Sequence, residues 1–386
     1  MKKASLLLLC GAFLYCACQN QTPEVPSADA DLTGTKVDLS GVVTSAKKVF
    51  LLNEGGMGSN NASLDFLRIS DASYITSAFK KMNPGAAAGL GDTGNDIAVN
   101  GDEVWMVINN SGLVEVVSAK DEKELAAIKV ATPRSIAFDD KYAYVTSWAG
   151  AYAIYGPDYS ITDFKNPKGM LYRIDLKTRK LDSKAVEVGY QPEGVAVHDG
   201  KIYVANSGGI ASSLPPAYAY DNTLSVIDAA SFTLEKNIEV AVNLKNVYAD
   251  GKGNIYVTTL GNFYDVHSGL YRMLAGGSVA KVADYVSISA LKGDTLWFVG
   301  NAEEFDFSAT QRTWKAFRCK DGVLAEVNLP VGILTAPYGL CALSDNAFLV
   351  SDAGDYWNPG TVSLFLDGAK KWTVTAGVCP GHFALW

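Results

Sequence analysis

Beyond residue 45, apolar residues alternate with polar ones over short runs that stop at Gly, Asn, Asp or Pro. That is the period of half-buried β-strands, not of helices. One run recurs with an aromatic ring at a fixed place. Its copies are KVFLLN (Phe50), EVWMVI (Trp105), YAYVTS (Tyr144), KIYVAN (Tyr203), NIYVTT (Tyr256), TLWFVG (Trp297) and NAFLVS (Phe348). The copies are roughly 40–60 residues apart, the spacing expected of propeller blades. A second β-rich run follows each copy, at 63–69, 113–119, 169–175, 222–228, 268–274, 314–320 and 360–366. A third precedes copies two to seven, at 95–100, 134–139, 193–198, 245–250, 287–292 and 338–343. The first copy lacks this preceding run, and GHFALW at 381–386 is a spare one. The pattern therefore predicts an all-β, seven-bladed β-propeller, closed by pairing its N- and C-terminal strands so that no sheet edge is left open. An eight-bladed ring, using residues 36–46 as an extra strand, is the alternative.

The inner runs carry Ala98, Ala137, Ala196, Ala249, Ala290, Ala342 and Ala384, small residues suited to a crowded neck. Trp105, Tyr144, Tyr203, Tyr256 and Trp297 lie one strand further out and are expected to fill the core between blades. In a four-stranded blade, the loop entering the first strand and the loop from second to third strand share one face. The entry loops offer Asn95, Asp96, Arg134, Tyr190, Gln191, Glu193, Lys245, Asn246, Tyr285, Ser287, Tyr338 and His382. Several of the other loops are far longer than a hairpin needs: 147–168, 206–221, 259–267, 300–312 and 351–359. They hold Trp148, Tyr152, Tyr155, Tyr159, Phe164, Tyr218, Tyr220, Phe263, Tyr264, Phe305, Phe307, Tyr356 and Trp357. Each ring could pack against its neighbours to fold its loop. As a set on one rim they point to a binding surface.

The first residues change the picture of where the protein sits. Lys2 and Lys3 precede an apolar stretch from Ala4 to Tyr15. This is too short to span a membrane and reads as a secretory signal. Ala17-Cys18 followed by a polar tail resembles a bacterial lipobox, with Cys18 as the lipidated first residue after removal of residues 1–17. Residues 18–45 are then the acylated cysteine and a flexible tether, with the propeller over 46–386. An outer-membrane lipoprotein displayed at the cell surface is the expectation. The net charge of −8, from 33 basic and 41 acidic residues without basic clusters, argues against nucleic acid as a partner.

Catalytic chemistry is thin. His198, His267 and His382 are far apart. The latter two could share the mouth, but two histidines make no metal site without further ligands. Glu303, Glu304, Asp306, Asp352 and Asp355 are read as solvating loop acids. No calcium loop, serine elbow or phosphate-cradling motif is present, so neither an enzyme nor a resident cofactor is expected. Cys319, Cys341 and Cys379 are an odd set, either three buried thiols or a Cys341–Cys379 bridge plus one.

VFLLNEGGMGSNNASLDFLRI (49–69) and GLGDTGNDIAVNGDEVWMVINNSGLVEVVSA (89–119) resemble the YncE-like, surface-layer-type propeller lipoproteins of Bacteroidota, which share an N-E-G-x-x-G-S-x-N-A-S-L opening. The later stretches QPEGVAVHDGKIYVANSGG and NTLSVIDAASFTLEK are similar to ordinary repeats of that group. Length, lipobox and aromatic loops look most like its BtuG-type corrinoid-binding members. The resemblance implies capture of cobalamin (vitamin B12) at the surface and transfer to a TonB-dependent outer-membrane transporter; a glycan- or protein-binding propeller lipoprotein without a corrinoid role is the alternative. The ligand-binding candidates are taken from loop position: Asn95, Asp96, Arg134, Trp148, Tyr152, Tyr155, Tyr190, Gln191, Tyr218, Tyr220, Asn246, Phe263, Tyr264, Tyr338, Tyr356, Trp357 and His382.

Overall fold

Each recurring aromatic strand is buried on both faces, because it stands second from the axis between neighbouring sheets. Lys48–Asn53 and Glu103–Ile108 are two examples, almost wholly withdrawn from solvent. The computed structural model describes residues 32–86, 89–155, 161–208, 220–274, 276–303 and 312–386. Seven antiparallel sheets are arranged around one axis, six of them running outward in chain order from a short inner strand and the first taking its inner strand from the C-terminal end. The protein is a seven-bladed β-propeller.

Closure is made between the ends of the body. Pro380–Leu385 forms the inner strand of blade one and pairs antiparallel with Lys48–Asn53, matching Phe50 to Ala384 and Leu52 to His382. Trp386 extends the seam, its backbone exchanging hydrogen bonds with Lys48. Thr35–Lys36 pairs with Ser73 and Tyr74 as an outermost strand of blade one, so residues 36–46 build no eighth blade. Val37, Leu39 and Val42 pack on the blade-seven core, and the Trp372 indole donates to the Asp38 carbonyl at 2.8 Å. The ordered body thus begins before residue 46, the boundary predicted for the tether.

The core lies between blades. Trp105, Tyr144, Tyr256 and Trp297 are buried as expected, whereas Tyr203 is only partly covered. Toward the axis, backbones crowd: a Cβ on Gly194 would sit 2.7 Å from the Lys245 carbonyl oxygen of the next inner strand. Entry to the inner strands repeats a feature with no sequence signature. Thr93, Thr132, Gln191, Asn243, Tyr285 and Cys379 all take left-handed backbone just ahead of an inner strand. Six of the seven inner strands also carry a register shift against their second strand. The bend turns the chain from the outer edge of one blade to the axis of the next, and packing holds the strained residue there.

In blade three the long loop between Tyr142–Ser147 and Lys168–Asp175 forms its own two-stranded hairpin, Tyr152–Tyr155 with Ile161–Lys165. Cys319, Cys341 and Cys379 are free and buried, so the bridge left open by the sequence is not made.

Candidate functional site

The mouth is built on buried polar side chains at the ends of second strands. Asn109 donates to the Pro133 carbonyl at 2.8 Å, and Asn206 accepts from the Gly189 amide at 3.1 Å. Each such bond satisfies a backbone group close to the entry of an inner strand, where the ladder is irregular. The loops carry their own fasteners. Asp352 accepts from the amides of Thr335, Ala336 and Gly354, and Asp355 from those of Trp357 and Asn358. These two acids organise their loop; solvation, their expected role, is secondary. Glu304 and Asp306 lie outside the described residues.

Two polar centres form on this frame. In the sector of blades two to four, Asn95 donates to the Arg134 carbonyl at 2.7 Å. Asp96 accepts from the Ser135 hydroxyl and the Ile136 amide. Arg134 places Nε and Nη2 on one Glu193 oxygen, at 3.1 and 3.0 Å, while its guanidinium lies 4.4 Å over the Trp148 ring. Lys168 stands 4.1 Å over Tyr190, whose amide donates to Asp221. Both cations of this sector stack on rings, and Arg134 is already paired with Glu193.

The second centre lies where blades seven and one close. Glu54, which the sequence reading passed over, is its hub. Tyr338 donates its hydroxyl to Oε2 at 2.8 Å, and His382 Nε2 lies 3.1 Å from Oε1. The Glu54 backbone is pinned on both sides, its amide to the Cys379 carbonyl and its carbonyl to the Gly94 amide. Gly381 keeps the centre open, since a Cβ there would crowd Glu54 Oε1 at 3.1 Å and the Tyr338 ring at 3.2 Å. Burial opposes ionisation of Glu54, but the hydrogen bond and charge of His382, the Tyr338 hydroxyl and the Lys245 ammonium hold its carboxyl below the usual range. Burial, with the Glu54 charge, raises the Tyr338 phenol well above its ordinary value, so it stays a donor. Burial likewise pushes the Cys379 thiol up to about 12, and its Sγ donates to the Tyr356 carbonyl.

Around these centres stand the rings. Tyr152 on the blade-three hairpin is 43% exposed, Tyr264 in blade five 82% and Trp357 in blade seven 61%. Tyr356, with left-handed backbone, meets Tyr338 edge-on at 5.7 Å, and Phe263 meets Tyr220 at 6.3 Å. Gln191 is fully buried and donates to Asn166, so it shapes a turn. Asn246 is half-buried, its amide donating to the Thr258 hydroxyl. Tyr155 ends a hairpin strand, opposite Ile161. Tyr218, Tyr159, Phe305, Phe307 and Cys18 lie outside the described residues. His267 packs edge-on against Tyr285 at 4.8 Å, apart from the Glu54–His382 pair, and His198 closes an inner strand beside Gly253. Among the described residues no group of three His, Cys, Asp or Glu side chains could hold a metal ion.

Fold and site together define a β-propeller with a polar, loop-walled mouth. The chain belongs to the family described as "Domain of unknown function (DUF5074)", whose model matches residues 47–274, more than half of its length. No curated protein matches it in sequence. Among solved structures it is similar to the hydrazine synthase of Kuenenia stuttgartiensis, with TM-score 0.56 and 14% identity over 76% of this chain and 89% of that one. It is also similar to a functionally unknown protein from Desulfotomaculum acetoxidans, with TM-score 0.56 and 12% identity over 88% of this chain and 99% of that one. At these identities the likeness concerns the fold alone.

Proposed function

We propose that this protein is a non-catalytic, lipid-anchored binding protein of the outer-membrane surface. Its mouth takes a corrinoid, cobalamin most concretely, and passes it to a TonB-dependent transporter. The observation that carries the reading is the set of exposed rings. Tyr152, Tyr264 and Trp357 project from three different blades around a mouth already lined with fixed hydrogen-bonding groups. Exposed aromatic side chains cost solvation unless something covers them, and they give contact area at low entropy cost. A broad macrocycle with apolar faces and an amide-fringed rim matches that combination of rings and polar groups. Cys18 and the signal before it support the anchor, and the resemblance of 49–69 and 89–119 to corrinoid-binding propellers supports the ligand and the transporter.

Calorimetry of the mature protein with cyanocobalamin tests the ligand, with soluble oligosaccharides as the competing class. Saturable one-to-one heat with the corrinoid is expected. Heat with glycans alone would replace this reading by a glycan-binding one.

A further inference from the structure

We propose that Lys245 receives the anionic group of the bound molecule. On the corrinoid reading, on which this inference rests, that group is the phosphodiester of the nucleotide arm. Asn95, Arg134, Glu193, Lys245, Tyr338 and Gly381 all fall in the register shift at the entry of an inner strand. A shift of this kind takes a residue off the ladder and re-aims its side chain. These six therefore form one collar around the axis on the mouth face. Asn95 is spent on the Arg134 carbonyl, Arg134 on Glu193 at 3.0 Å, and Tyr338 on Glu54 at 2.8 Å, while Gly381 has no side chain. Half-buried Lys245 differs, making no hydrogen bond or ion pair among the described residues. Nor is its nitrogen sealed from water, since the buried side-chain atoms without a partner belong to other residues.

The ammonium is turned toward the axis. Burial opposes ionisation of Glu54, and the Lys245 charge is one of those that still hold its carboxyl below the usual range, although blades five and one are not neighbours. The Lys245 backbone packs against blade four, where a Cβ on Gly194 would meet its carbonyl oxygen at 2.7 Å, so the stem starts from a fixed point. The acids of the mouth are already engaged: Glu54 by Tyr338 and His382, Glu193 by Arg134, and Asp96 by Ser135 and the Ile136 amide. A cation partly withdrawn from water without a partner has lost solvation that an incoming anion restores. Lysine suits that role, as a point charge on a flexible stem with three rotatable donors. The side-chain amides of a complete corrinoid are neutral and its phosphodiester carries a single negative charge, so one free ammonium matches it.

The test is calorimetry of the full mature chain with cyanocobalamin, which carries the phosphodiester, and with dicyanocobinamide, which lacks the nucleotide arm that contains it. Lys245→Met should weaken cyanocobalamin about tenfold, the worth of one charge-assisted hydrogen bond. The same variant should leave dicyanocobinamide unchanged, which also shows that it is folded. Lys245→Arg should keep most of the cyanocobalamin affinity. Added salt should weaken cyanocobalamin in the unsubstituted protein, and do so less in Lys245→Met. Equal losses with both ligands, no loss with cyanocobalamin, or a loss with unchanged salt dependence overturns the anion contact while leaving the corrinoid reading intact. No heat with either corrinoid in the unsubstituted protein overturns both.

Discussion

Replacing Lys48 by Met should destabilise the propeller by about 3–5 kcal/mol at pH 7, the cost of breaking a buried ion pair by removing one partner. Lys48 opens the second strand of blade one, and its ammonium enters the seam with blade two. All three donors are used: the carbonyls of Ala119 at 2.9 Å and Lys120 at 2.7 Å, and Glu122 Oε1 at 2.5 Å. The side chains of Lys48 and Glu122 are only 8% and 1% exposed, so water cannot replace either partner. Methionine fills the aliphatic stem but leaves the carboxylate alone. Burial already raises the Glu122 carboxyl above its ordinary 4.5, with Lys48 opposing the rise. Without Lys48 it escapes by taking a proton, which at pH 7 costs about 3.4 kcal/mol for a group of that ordinary value. The two routes to the magnitude agree.

The sign of the pH dependence follows. An acid whose folded value is raised binds its proton more tightly in the folded state. The penalty is therefore small near pH 4.5 and grows as pH rises toward the folded value. The Lys48→Met defect should shrink to about 1 kcal/mol at pH 5. Guanidinium unfolding at pH 5 and pH 7, reading midpoint and slope together, measures it. Lys48→Met with Glu122→Gln should recover most of the loss, since no buried charge remains. A loss under about 1 kcal/mol at pH 7, or one equally large at pH 5, would refute the reasoning.

Other expectations are independent of this pair. Removing residues 380–386 uncovers the wholly buried strand Lys48–Asn53 and should yield aggregated or unfolded protein; a monomer with native circular dichroism would contradict closure at that seam. Burial, with the nearby Glu124 charge, pushes the Glu115 carboxyl up to about 8, so stability should fall as pH rises from 4.5 toward that value. Glu115→Gln should flatten this part of the pH profile, and an unaltered slope in denaturant midpoints would remove Glu115 as its source. Tyr264→Ala and Trp357→Ala should each weaken cyanocobalamin by about 1–2 kcal/mol with little change in melting temperature. Equal affinities in both variants would take those rings out of the binding surface.

The alternation of apolar residues and the sevenfold return of one aromatic strand determined the blade count, the core position of Trp105, Tyr144, Tyr256 and Trp297, and the seam between 48–53 and 380–385. These features are local, since period 2 and a repeated run are written into neighbouring residues, and a ring of like units has one way to hide its edges. Other features depended on distance. Glu54 lies 284 residues from Tyr338 and 328 from His382, so only closure of the ring brings the three together. The left-handed entry residues share a backbone state and no side-chain type: Thr93, Gln191, Asn243 and Cys379 have nothing in common to read. The hairpin at Tyr152–Tyr155 and the edge strand at Thr35–Lys36 are short segments whose pairing partners select them. Sequence decided what each blade is made of, and tertiary structure decided which side chains of different blades face one another, because contact across the ring has no local period.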